Sequence, residues 1–162
     1  MTRLELPSKS DLKAELLALL QADLDTLERA HRATREGATH EEAKPENDKD
    51  TRALEQSYLA RGQAKRIEEL RAGVADVAGL PLRDFADGAA ALGALVTVDE
   101  DGVESTLLVA PAGGGARLAG GAVQVVTPKS PLGRALLGKR PGDEAEVVVA
   151  GKTSTRAIVR VA

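Results

Sequence analysis

Apolar positions change their spacing once along this chain. Up to about residue 78 they recur every three or four residues; from about residue 90 they come in short runs broken by glycine. The first spacing predicts helices with one apolar face, and the second predicts strands. Two helices precede the change. The first is expected from about Asp11 to Glu36, with Ser8 or Ser10 capping its free amides, Asp11 favourably in the first turn and Gly37 as a natural stop. Leu17, Leu20, Leu24 and Leu27 alternate at spacings of three and four, and His31 and Thr34 continue the row less well. The second is expected to start near Asn47 or Asp50 and to run to about Val77. Ala53, Ala60, Ile67 and Val74 form one of its rows, and Gln56, Gln63, Leu70 and Val77 the other. The first seam weakens along its helix and the second strengthens, so an antiparallel pairing joins the apolar ends at the base and the polar ends at the turn. Each arm extends roughly 40 Å at about 1.5 Å per residue. A pair of helices that long buries little, so its purpose is reach.

Past Gly79-Leu-Pro81 the strand pattern takes over. Strands are expected at Ala94–Val98, Thr106–Ala110, Ala122–Val126, Glu146–Val149 and Ala157–Val161. Turns at Glu100-Asp-Gly102, Gly113-Gly-Gly115, Gly120-Gly121 and Pro141-Gly-Asp143 separate them. Between the third and fourth strands, Ser130 as N-cap, Pro131 at the first helical position and Gly138 at the end bracket a short helix. The predicted class is α+β: a coiled-coil hairpin over 1–78 with an acidic tip near 36–50, a linker over 79–89, and a small, mostly antiparallel sheet with one covering helix over 90–162.

Composition sharpens the division. Three of the 16 glycines precede residue 76, and residues 1–76 carry 13 basic and 16 acidic side chains against nine of each in 77–162. The first half is a charged rod and the second is sparsely charged. Aromatics are 1% of the 162 residues, Tyr58 and Phe85 alone, which argues against base-stacking platforms, aromatic ligand boxes and proline-peptide grooves. With no cysteine there are no disulfides, thiolate zinc sites or cysteine nucleophiles. No run approaches the roughly 18 apolar residues of a membrane span, and the first residues lack the apolar core of a signal peptide. A soluble cytoplasmic protein with no membrane partner is the expectation.

Self-contained catalytic constellations are lacking. The Gly113–Gly115 run has no following helix with Lys and Ser or Thr to make it a phosphate cradle, and is read as a turn. His31 and His40 are in no common register for a metal, and Ser130 has no histidine in its half of the chain. What remains is the turn between the helices. Glu36, Glu41, Glu42, Glu46, Asp48 and Asp50 surround it, with Lys44 and Lys49 the interrupting cations, and Pro45 disfavours helix at Lys44. Carboxylates on such a turn hold a hard cation weakly alone, because magnesium retains waters and borrows further ligands from a partner or from phosphates. A tip of this kind works best inserted into another protein's active site, completing a metal's shell and orienting a water toward a phosphodiester.

The stretch Ser130-Pro-Leu-Gly-Arg-Ala-Leu-Leu-Gly-Lys139, followed by Gly142-Asp143, resembles the C-terminal signature of the bacterial Gre transcript-cleavage factors. Glu46-Asn47, followed by Ala53, Glu55, Gln56 and Gly62, is similar to that family's entry into the second coiled-coil helix. The resemblance covers essentially the whole chain. It implies a coiled-coil finger on an FKBP-like globular domain that docks on bacterial RNA polymerase, with the finger entering the secondary channel and carrying acidic residues to the catalytic magnesium. The polymerase then hydrolyses its own backtracked RNA; the factor is a stimulator and not a nuclease, and holds no cofactor of its own. By position Glu46 matches the family's glutamate, whereas the family's second tip acid falls on Ala43 and its tyrosine on Asp50. Glu42 or Glu41 is then the expected second carboxylate, with Asp48 and Asp50 as further candidates. Glu42 and Glu46 are the expected ligands of the polymerase-bound magnesium. Lys49, Arg52 and Arg61, with Lys65 and Arg66, are expected to meet nascent RNA or channel carboxylates, and Arg134 and Lys139, with Arg140, to serve docking. A monomer is expected. The alternative is a relative that occupies the channel and regulates the polymerase without cleavage. Prolyl isomerase activity is disfavoured, because fold alone does not carry function and the C-terminal half holds one ring, Phe85.

Overall fold

The structure is a computed structural model that describes the backbone of residues 5–42 and 49–162, and the side chains of residues 5–37 and 51–162. The chain divides into two compact units, Ala18–Val74 and Met1–Leu17 with Ala75–Ala162. Helices α1 (Lys9–Glu42) and α2 (Lys49–Ala78) contribute to both.

Within Ala18–Val74 the two helices pair. Leu24, Ile67 and Leu70 form a buried cluster, with Leu27 packed against it. Arg71 Nη2 donates to Glu28 Oε1 at 2.7 Å, and farther along His31 Nδ1 lies 3.4 Å from Gln63 Oε1. Partners on α2 move back as those on α1 advance, which makes the pairing antiparallel. Both predicted rows of α2 face inward: Ala53, Gln56, Ala60 and Gln63 are half-buried, Ile67 and Leu70 buried, Val74 half-buried. The α1 row differs at its base. Leu12, Leu16, Leu20 and Leu24 are buried at a spacing of four, whereas Leu17 is half-buried. Leucines crowd both sides of this segment, so sequence spacing does not choose between them. Helix α1 also passes Gly37, which has no left-handed φ, and continues to Glu42. An interior glycine costs a helix only about 1 kcal/mol, and the residues directly after it are compatible with helix.

The other unit holds β1 (Leu95–Glu100), β2 (Val103–Val109), β3 (Arg117–Leu118), a 3₁₀ turn (Ala119–Gly121), β4 (Val123–Val126), α3 (Pro131–Leu136), β5 (Glu144–Val149) and β6 (Lys152–Val161). The strand order is β3-β4-β2-β1-β6-β5. Every pairing is antiparallel except β2 with β4, which run parallel from Thr106↔Val123 to Val109↔Val126, so the sheet is mixed. One sheet face carries Val96, Val98, Leu107, Val109, Val126, Ala145, Ile158 and Val161 onto Leu136 of α3, with Phe85, Leu132 and Ala135 at the margin.

Two hairpins close this sheet with two-residue turns. Asp101-Gly102 have φ of 52° and 83°, and Ala150-Gly151 have 51° and 76°, the doubly left-handed geometry whose twist matches the flanking strands. Asp-Gly is a strong signal for that turn. Ala-Gly is not, and the second hairpin was not among the predicted turns.

The first turns of α1 are fastened to this same unit. Ser8 caps the helix, its Oγ accepting from Asp11 N at 3.1 Å. Lys13 Nζ donates to Leu80 O at 2.9 Å, and both carboxylate oxygens of Glu15 accept from Ala119 N at 3.0 and 3.2 Å. Lys9 Nζ donates to Arg83 O at 2.6 Å and lies 4.7 Å from the centre of the Phe85 ring, with the Arg83 guanidinium 5.0 Å from it. Burial lowers the pKa of the Lys9 ammonium from its ordinary value, and neighbouring Asp84 acts in the opposite sense. The linker is tied to the last strand: Asp87 N donates to Val161 O at 2.8 Å, and Asp87 Oδ1 accepts from Val161 N at 3.0 Å.

Ser130 fulfils its predicted role at α3. Its Oγ accepts from Gly133 N at 3.0 Å and donates to Thr127 O at 2.9 Å. Ser130→Ala removes both bonds, and the expected loss is about 1 to 2 kcal/mol of stability. Urea unfolding of the full chain, compared at equal m-value, measures it; a midpoint unchanged from the parent would contradict the cap assignment.

Candidate functional site

The predicted functional residues fall into two groups, one per unit. In the helical unit, Arg52 and Arg61 sit on the exposed side of α2, off the inward rows. The guanidinium of Arg61 is 5.9 Å from the ring centre of Tyr58, which is 60% exposed and flanked by exposed Leu54 and Leu59. From 51 to 66, α2 carries Arg52, Arg61, Lys65 and Arg66 against Glu55, a local positive surplus on a chain of net charge −3. Arg66 pairs with Glu69 at 3.4 Å, both exposed, a contact worth little in solvent.

Of the tip carboxylates, Glu41 and Glu42 belong to the last turn of α1, but their side chains lie outside the described residues, as does that of Lys49 at the start of α2. Glu46, with Ala43 and Asp48, and the side chain of Asp50 lie outside them as well. Among the described residues there is no group of three or more His, Cys, Asp or Glu side chains arranged to hold a metal. The oxygen donors of the turn are of the type that suits magnesium. No described helix is long and apolar enough to cross a membrane.

In the sheet unit, Arg134 and Lys139 lie five residues apart in the chain, on α3 and just past it. Arg134 projects from α3 and its Nη1 donates to Lys129 O at 3.0 Å, which orders an exposed guanidinium. Lys139, half-buried, lies just past α3. Its backbone is fixed at both ends, with N donating to Leu136 O at 3.1 Å and O accepting from Ala90 N at 2.8 Å. Arg140 follows in a turn closed by Arg140 N to Asp143 Oδ2 at 2.9 Å. These contacts anchor Arg134 through its guanidinium and Lys139 and Arg140 through their backbones, and leave Arg134 and Arg140 exposed. Sequence reasoning passed over Lys152 and Arg156, which line a cleft on the same unit. Their signal was the alternation Lys152-Thr-Ser154-Thr-Arg156, which puts every second residue of a strand on one face.

Residues 86–162 match the family "Transcription elongation factor, GreA/GreB, C-term". This match places the GreA/GreB C-terminal domain in the second part of the chain, where the sheet unit lies. Similar solved structures include the GreA factor homolog 1 (Gfh1) of Thermus thermophilus, at 18% identity and a TM-score of 0.39, covering 90% of this chain and 94% of that one. Gfh1 of Thermus aquaticus is 19% identical with a TM-score of 0.40, covering 89% of this chain and 92% of that one. A GreA/GreB elongation factor from Nitrosomonas europaea is 22% identical with a TM-score of 0.36, covering 59% of this chain and 78% of that one. No curated protein matches the sequence at a significant level.

Proposed function

We propose that this protein is a transcription elongation factor that docks on RNA polymerase through its sheet domain, inserts its helical hairpin into the secondary channel, and stimulates cleavage of backtracked RNA. The observation that carries the reading is the match of residues 86–162 to the GreA/GreB C-terminal family, on a chain whose other unit is an antiparallel helix pair. The chain's own part in the chemistry is positional. Glu46, with Glu42 or Glu41, supplies oxygen ligands and a hydrogen-bond acceptor for a water, while the polymerase's magnesium supplies Lewis acidity toward the phosphodiester. Arg52, Arg61 and Lys49 offer positive charge to RNA phosphates or channel carboxylates. The chain has no turnover of its own in this scheme.

A second reading, channel occupancy that regulates the polymerase without cleavage, is favoured by one observation: Ala43 stands where the family's tip aspartate is expected. Backtracked elongation complexes separate the two. Faster release of the 3′ RNA fragment supports the first; no release, combined with competition against an active cleavage factor, supports the second; failure to bind polymerase sinks both. The docking assignment has its own test. Replacing Arg134 and Lys139 together by Ala is expected to weaken polymerase binding about tenfold, roughly the 1.4 kcal/mol a pair of interface cations can contribute. Unchanged affinity in a variant that melts like the parent would move the docking surface elsewhere.

A further inference from the structure

A cleft of about 750 Å³ opens on the α3 side of the sheet, and the functional reading above makes no use of it. Its walls are β4, the turn between β5 and β6, and the start of α3. Strands β4 and β5 are separated by three others in the sheet order, so the sheet must curl for Val126 and Val147 to line one cavity. Val126 and Val147 are buried in its floor and Leu132 is half-buried beside them. Val149 lines the same cavity yet is 57% exposed, which leaves apolar surface to be covered.

The charge of the lining is one-sided. Lys152 and Arg156 contribute to it and no carboxylate does. Arg156 Nε already donates to Glu100 Oε2 at 2.9 Å, which compensates its charge. Lys152 is exposed, and its ammonium makes no ion pair or hydrogen bond with any described residue. An apolar floor with one uncompensated ammonium at its rim selects a molecule with an apolar body and an anionic head, and the volume lies within the usual range of small-ligand sites. No aromatic ring lines the cleft, so nothing in it favours a flat ring over an alkyl chain.

We propose that this cleft is a binding site for a small aliphatic carboxylate, with the carboxylate on Lys152 and the chain over Val126, Leu132 and Val147. The assignment is independent of the polymerase reading. Its test is a titration of the full chain with sodium dodecanoate below its micelle concentration, followed by backbone and methyl NMR shifts, with dodecyltrimethylammonium as the arm of opposite charge. Saturable shifts are expected at Gly114, Val126, Leu132, Val147 and Val149, and weaker binding of the ammonium. Lys152→Glu, at an exposed position that leaves the core intact, is expected to weaken dodecanoate about tenfold and to favour the ammonium. The proposal is overturned by absence of binding, by equal affinity for the two head groups, by Lys152→Glu binding dodecanoate like the parent, or by shifts centred on the exposed Leu54, Tyr58 and Leu59 of α2.

Discussion

Gly133→Val is expected to lower the melting temperature of the sheet domain on the order of 10–20 °C, the effect of about 3 kcal/mol on a unit of this size. A Cβ built at Gly133 lies 1.8 Å from the backbone oxygen of Thr127 and 2.5 Å from its carbonyl carbon. That oxygen belongs to the peptide framework, so no side-chain rotation relieves the clash. It also accepts from Ser130 N at 3.0 Å and from Ser130 Oγ at 2.9 Å. Relief therefore requires α3 to move away from the turn that caps it, which disrupts those bonds and the seat of Leu136 in the core. Gly114→Ala is the control: its Cβ meets the Thr127 side-chain methyl at 3.2 Å from an exposed loop with no left-handed φ, and the expected change is within a few degrees. Calorimetry of the two variants beside the parent decides it, and a Gly133→Val melt matching that of Gly114→Ala would mean that the close approach does not hold in solution.

The triple replacement Glu41→Ala, Glu42→Ala, Glu46→Ala is expected to reduce stimulated cleavage of backtracked RNA on the order of 100-fold, toward the polymerase's unaided rate. Polymerase affinity is expected to stay close to that of the parent, because Arg134 and Lys139, the residues proposed for docking, belong to the other unit. The effect follows from charge and donor type. Carboxylates carry both the negative potential and the hard oxygen atoms that a magnesium-dependent centre can use, and alanine supplies neither. Cleavage at the parent's rate in the triple variant, with binding intact, would remove these residues from the chemistry. Reduced cleavage with equally reduced binding would assign them to entry into the channel instead.

Much of the fold is legible from sequence where the deciding interactions are local. The cap of α3 is one such case, since Ser130, Pro131 and Gly133 lie within four residues and satisfy one another's geometry. The α2 register is another, because its inward rows repeat with few competing apolar positions. The base of α1 was misread for the opposite reason. Leu16, Leu17, Leu19 and Leu20 offer more than one apolar stripe, and the side buried is the one carrying Leu12 and Leu16. Glycine is the common helix terminator, but the left-handed cap also needs a left-handed φ, which Gly37 lacks. The Ala150-Gly151 turn was missed because alanine at positive φ has no favourable local signal; pairing of Glu144–Val149 with Lys152–Val161 enforces it.

The amino-acid sequence by itself determined the α+β class, the acidic composition of the turn between the helices and the capped helix beside the docking candidates. These depend on residue spacing and on chemistry within a few positions, where sequence distance and spatial distance nearly coincide. Tertiary structure decided which leucine stripe of α1 is buried, the parallel pairing of β2 with β4, and the curl that brings Lys152 and Arg156 around the same apolar cleft as Val126. Each of these joins residues far apart in the chain, and the free energy that selects them comes from excluding water between surfaces that no local pattern specifies as partners.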